Sequence, residues 1–397
     1  MFTDVSSQSS GVQHVVRLCV ACVFLVAAIP SMSLAQTRQP HARANPLPEP
    51  AVPAILAAFD KYDVVGMPVA HGLKDVDDFI LSLIRNPAFA EKVNDIAVEC
   101  GNSLFQPLLD RYIAGEEVPF SEVQKVWRNT TQMMCSSSAF FEQLFPLVRA
   151  VNRKLPSEKR LRMVAADPPI DWRQVKSYED RWKFDRDASI AFVMEQEVLA
   201  KHRKALMLLG TFHLMHGQEA SAVSIYEKKY PNRTLVISDL GYFDTDLPTF
   251  SSSRFATWPI PSLAQAKGTW LGALSLGDFL PPQIVVDDDC HVHTEFPKSL
   301  QKPMEELVDA FLYLGPQDLL LKEKVPADIA LDVDYRMELL RREALPGVPK
   351  DAADRLKGVD REVVSEAGSP LFVVPKPPDT KSIEQMCLDQ KKRSNAP

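Results

Sequence analysis

No run of basic residues interleaved with aromatics occurs anywhere in this chain, and its formal net charge is −7. Both facts argue against a nucleic-acid partner, since phosphate backbones are bound by clustered Lys and Arg. There is no Gly-x-Ser-x-Gly elbow, no His-Glu-x-x-His helix and no P-loop, so three common catalytic frameworks are excluded. No internal repeat is visible. Cysteine is scarce, at six in 397 residues. Two of these, Cys19 and Cys22, lie in the first apolar run, which leaves Cys100, Cys135, Cys290 and Cys387. Four widely spaced cysteines are not a dense disulfide framework, although export would permit pairing. Cys100, in an apolar stretch, is expected as a buried thiol.

The one markedly apolar run is Leu18 to Ile29, preceded by Arg17 and ended by Pro30. It is far shorter than the roughly 20 residues a spanning helix needs. Ser33-Leu34-Ala35 follows as a small-x-small pattern, so a signal peptide over 1–35, cut after Ala35, is expected. The mature chain is expected to be periplasmic or secreted, with no stable membrane span. Gln36 rather than Cys follows the cut, which excludes a conventional lipoprotein. Residues 36–53, rich in Pro, Ala and Arg, are expected to be a flexible lead-in.

From there helical and apolar strand-like segments alternate. Strands are expected at Tyr62–Met67, Asp95–Cys100, Leu161–Ala166, Ala205–Leu209, Leu235–Ser238 and Ala310–Leu314. Between them, helices are expected near Val76–Arg85, Phe105–Ala114, Ser121–Trp127, Phe140–Asn152, Asp187–His202 and Ala220–Lys229, with one more at Tyr335–Arg342. Parallel strands require crossovers, and strands apolar throughout fit a sheet covered on both faces. The expected fold is therefore α/β, a mostly parallel sheet with helices on both faces in three layers, as one domain over 54–345. Residues 250–282 are expected as a loop or lid, and 346–397, charged and Pro-rich, as a poorly structured tail.

Ligands of open parallel sheets gather beyond the carboxyl ends of the strands. Those ends carry His71-Gly72, Glu99, Asp167, Gly210-Thr211-Phe212-His213 and Asp239. Imidazole and carboxylate serve both as ligands of zinc, manganese or iron and as general acids and bases. Elsewhere, Asp287 to Glu295 holds His291 and His293, spaced to share one side of an extended segment; it is read instead as a solvated acidic loop preceding a helix. His216 is read as a surface or capping residue, and Tyr313 as core.

These motifs resemble the superfamily of erythromycin-esterase-like proteins, haem-uptake ChaN-like proteins and the TraB and Tiki proteins. His71-Gly72 matches the tail of that group's first element, Glu99 its second-strand glutamate, Arg186-Asp187 its Arg-Asp pair, and Gly210 to His213 its Gly-x-x-His element. The likeness runs from Asp63 to about Leu214. It implies hydrolysis of an ester or amide in a small molecule or peptide, with His71 and His213 as ligands of a divalent metal or as acid/base groups, Glu99 as a ligand or general base, and Arg186 steadying negative charge. One departure stands out: where the group has Gly-Glu, this chain has Pro68-Val69. Two alternatives follow, a haem- or iron-binding protein and a catalytically degenerate binding protein.

Overall fold

The computed structural model describes residues 43–69, 72–218, 220–241, 252–279, 283–287, 289–295, 301–323, 326, 329, 331–348, 383–385, 387–388 and 391. The expected signal peptide and His71 lie outside them, as do residues 250–251, 280–282 and most of the expected tail.

Ten strands occur among the described residues. They are β1 (Pro48–Pro50), β2 (Val64–Pro68), β3 (Asp95–Asn102), β4 (Arg162–Asp167), β5 (Ala205–Leu209), β6 (Thr234–Asp239), β7 (Ser262–Gln265), β8 (Gln283–Val286), β9 (Val292–Glu295) and β10 (Ala310–Tyr313). Eight form one sheet in the order β1-β7-β10-β6-β2-β5-β3-β4, with β8 and β9 as a separate hairpin. From β10 through to β4 every pairing is parallel, while β7 runs antiparallel to both β10 and β1.

The helices cover both faces. Helices α1 (Ala51–Ala58), α2 (Lys74–Arg85), α3 (Phe89–Lys92), α4 (Gln106–Ala114), α5 (Phe120–Arg128) and α6 (Ala139–Asn152) pack on one face. Helices α7 (Arg186–Glu197), α8 (Thr211–Leu214), α9 (Ala222–Glu227) and α10 (Ser252–Phe255) pack on the other. Strand alternation divides the two cores. Val65, Met67, Val98, Leu206 and Leu208 join the first core, whereas Val64, Ala97, Ala205, Met207 and Leu209 join the second. The protein is thus a three-layer α/β fold. In α2, Val76, Phe79, Ile80, Leu83 and Ile84 recur at helical spacing and are all buried. Each such side chain contributes roughly 1.5–3 kcal/mol on leaving water. Asn86, extended ahead of Pro87, ends that helix.

Four expectations need correction. From Arg43 on, the lead-in belongs to the fold: Pro48–Pro50 pairs with β7, an edge position that tolerates proline because its missing N–H is not needed there. The 250–282 stretch is not wholly loop, since Ser262–Gln265 pairs on both sides. Cys100 is not a free thiol; it is bonded to Cys135, with Cα atoms 5.5 Å apart. The segment Asp287 to Glu295 is the turn and second strand of the β8–β9 hairpin. Cys290 in its turn is bonded to Cys387, which ties part of the expected tail to the hairpin.

Candidate active site

The carboxyl ends of β3, β4 and β5 lie side by side, and Glu99, Asp167, the Arg186-Asp187 pair and His213, all singled out in the sequence, meet there. Glu99 stands on β3, facing the α7 side of the sheet because Val98 and Cys100 before and after it face the other. Glu99 accepts at Oε2 from the backbone N–H of Gly210 at 2.9 Å, just beyond β5. Arg186 and Asp187 form the first turn of α7, capped by Asp185, whose carboxylate accepts from Ala188 N–H. His213 lies in the short helix α8 that follows Gly210.

Arg186 is the hub. Its Nε–H donates to Asp167 Oδ1 at 2.9 Å, its Nη2–H to Glu99 Oε2 at 3.4 Å, and its Nη1–H to His213 Nε2 at 2.6 Å. Guanidinium has no acceptor, so Nε2 must be the accepting nitrogen and the ring proton sits on Nδ1. That Nδ1–H donates to Asp187 at 2.8 Å. Asp187 Oδ1 also accepts from the N–H of Ala222, at the start of α9. The result is a neutral imidazole held in one tautomer between a carboxylate and a guanidinium. The Arg186 and Glu99 side chains are only 7% and 2% exposed, whereas those of His213 and Asp187 reach 23% and 20%. The reachable part of the site is therefore the His213–Asp187 pair.

Burial works against the charge on Arg186, but Glu99 and Asp167 outweigh it and hold its pKa above the ordinary value. Burial also pushes the Asp167 carboxyl up, against the pull of Arg186 and of Thr131. Thr131 is the site residue that sequence reasoning missed. Its N–H and hydroxyl donate to Asp167 at 2.6 and 2.7 Å. It lies in the loop after α5, and no local pattern marks it. The Cys100–Cys135 bond anchors that loop to β3.

The other expected residues are placed differently. Asp239 ends β6 and accepts from Gly241 N–H at 3.0 Å, a turn role. Val69, where the resemblance expects a glutamate, is 3% exposed and packs in the first core. His216 is neither a capping nor a free surface residue. It is clamped between Glu227 on Nδ1 and Asp309 on Nε2, both at 2.9 Å. Burial alone would push its pKa down, but those two carboxylates raise it to about 9. His291 is 75% exposed on its side chain, beside Asp287.

Of the implied metal set, Glu99 and His213 are described. The Arg186 guanidinium already spans the space between Glu99 Oε2 and His213 Nε2, which are 3.9 Å apart. A divalent cation there would meet a like charge at close range. No group of three or more His, Cys, Asp or Glu side chains suited to a metal occurs among the described residues. Both ring nitrogens of His213 are engaged, so the ring does not present a free ligand to haem iron either. The described part of the set does not fit a metal or haem.

A cavity of about 560 Å³ opens beyond the ends of β3 and β4, lined by α5, the 170–173 turn and α11 (Val333–Glu343). Its buried guanidinia are committed within the protein, Arg128 to Glu142 and Arg342 to Glu338 and the carbonyl of residue 128.

Neither a protein-family model nor a curated protein matches this chain. Among solved structures it is similar to a protein from Bacillus cereus, at 10% identity over 71% of this chain and 97% of that one, with a TM-score of 0.45. It is also similar to a succinoglycan biosynthesis protein, at 10% identity over 69% and 94%, with a TM-score of 0.44. A third is an erythromycin esterase in its open conformation, at 13% identity over 66% and 92%, with a TM-score of 0.39. These likenesses are distant, and none bears on what this chain binds or acts on.

Proposed function

We propose that this chain is an exported hydrolase of an ester or amide bond, with His213 as general base. The observation that carries the reading is the His213 ring, fixed at Nδ1 by Asp187 and directed at Nε2 toward Arg186, in the exposed part of the carboxyl edge. Asp167 and Glu99 hold Nε and Nη2 of the guanidinium, so Nη1 is the donor that a substrate oxygen competes for. When that oxygen takes the Nη1–H, the Nε2 lone pair is released. It then accepts a proton from water as the water oxygen attacks the carbonyl carbon. Asp187 stabilises the resulting imidazolium, and Arg186 the oxyanion. The proton passes from Nε2 to the departing oxygen or nitrogen as the carbon–heteroatom bond breaks. No step requires a cation.

His213→Ala is expected to lower turnover of p-nitrophenyl acetate by about 10²- to 10⁴-fold with an unchanged circular dichroism spectrum. Equal turnover in that variant sinks the assignment. EDTA treatment is expected to leave the wild-type rate unchanged; loss with recovery on adding zinc would return the metal to the mechanism. The buried Val69 favours a second reading, a site that binds without turning over. It predicts no hydrolysis of esters or anilides by wild-type protein.

Export is supported by the Leu18–Ile29 run with its following Ser33-Leu34-Ala35 and by the two disulfides, which oxidising compartments sustain. Sequencing of the mature protein should read from Gln36.

A further inference from the structure

A second cavity, of about 520 Å³, lies on the far flank of the sheet, lined by Asn45, Pro46 and Pro48, by Arg254, Thr257 and Trp258, and by Trp270. Its size is within the roughly 300–1,000 Å³ of small-ligand sites. The wall is built, not incidental. Trp270 N–H donates to the carbonyl of Ala44 at 3.0 Å, and Ala44 N–H to that of Gly268 at 3.2 Å, so the 43–48 stretch is strapped to the 268–270 turn. Two indoles line the space. Trp258 is set edge-on against Phe255 and Tyr313, with centroids 5.0 and 5.7 Å away, and both of those rings belong to the second core. A ring locked by its neighbours loses little entropy when a ligand stacks on it.

Arg254 supplies the charge. Its guanidinium lies 4.5 Å from the Trp270 ring centroid, it is exposed, and no carboxylate of the described residues pairs with it. Asn45 and Thr257 add an amide and a hydroxyl at the same opening. In a chain of net charge −7, a cation with no carboxylate partner among the described residues, stacked at the mouth of a two-indole cavity, is a local preference for an anion. Indole faces accept the C–H faces of pyranose rings, the amide and hydroxyl match ring hydroxyls, and guanidinium matches a carboxylate fork.

We infer that this cavity binds an acidic sugar, a pyranose unit carrying a carboxylate, with Arg254, held over Trp270, on the carboxylate and Trp258 on the ring. It is a binding site independent of the His213 centre.

The test is titration of the full-length mature protein with trigalacturonate, followed by tryptophan fluorescence and calorimetry at low salt. Saturable binding is expected, weakened about tenfold or more in Arg254→Gln, in Trp258→Leu and for uncharged maltotriose. Arg254 is exposed, so its variant should keep the wild-type melting temperature and isolate the charge from the fold. The inference is overturned by no heat or fluorescence change up to about 10 mM ligand, a concentration that reaches millimolar affinities. It is equally overturned by unchanged affinity in Arg254→Gln, by maltotriose binding as well as trigalacturonate, or by benzoate or deca-proline binding more tightly than either sugar.

Discussion

At the scale of single residues, two histidines three positions apart have opposite roles because of their partners. His213 meets one carboxylate and one guanidinium, which fixes its orientation and leaves Nε2 as the accepting nitrogen. His216 meets two carboxylates, which raise its pKa to about 9. A histidine with a raised folded pKa stabilises the fold fully below its unfolded value near 6.5, and that contribution is lost as pH rises through about 9. The shift corresponds to at most about 3 kcal/mol, reduced by solvent screening at the half-exposed Asp309. Urea denaturation between pH 6 and 10 should therefore show stability falling from about pH 6.5 to about pH 9 and levelling beyond it, and His216→Gln should remove the fall. A wild-type profile parallel to that of the variant would mean that the clamp contributes nothing.

At the scale of elements, the site depends on where β3 ends. Its pairing with β4 shifts register between Val98 and Asn102. Gly101 lies within that irregularity, where a Cβ would come 2.8 Å from the Cα of Ala165 and 2.9 Å from a methyl of Val98. Only glycine allows β4 this close, and the approach brings Asp167 to the same guanidinium as Glu99. Gly101→Ala is expected to destabilise the protein by about 1–3 kcal/mol through overpacking and to lower activity by displacing Asp167 from Arg186. Unfolding midpoints and esterase rates of the variant check both effects, and wild-type values for both would show that the strands can separate without cost.

At the scale of the whole molecule, two covalent links join distant parts of the chain. Cys100–Cys135 closes 35 residues and anchors the loop that carries Thr131 to Asp167. Chain entropy assigns such a loop about 3–4 kcal/mol. Replacing both cysteines by alanine should lower stability by about that amount and reduce turnover, through the Thr131–Asp167–Arg186 relay. An unchanged denaturation midpoint would show that the link does not constrain the unfolded chain. Cys290–Cys387 joins the β8–β9 hairpin to a segment close to the end of the sequence, and Glu384 accepts from Val292 N–H beside it.

Much of this was already written in the order of residues. Six apolar strands, their crossover helices and the three-layer α/β class follow from periodicity and strand burial, because a strand apolar on both sides can be satisfied only between two helical layers. That Glu99, Asp167 and the Gly210–His213 turn share one edge was likewise legible, since strand carboxyl ends converge by topology, whereas Arg186, at the start of a helix, was marked only by the Arg-Asp pair of the resemblance. What the sequence could not determine is which partner each group takes. Whether Arg186 points into solvent or bridges Glu99, Asp167 and His213 depends on side-chain reach across three elements. Thr131 reaches Asp167 only because a loop is anchored by Cys135. His216 becomes a clamp only because Asp309 arrives from far along the chain, and Pro48–Pro50 becomes a strand only because β7 offers an edge. Periodicity is a local property and was readable. Partnership is a property of packing, set when segments distant in the chain meet in the fold.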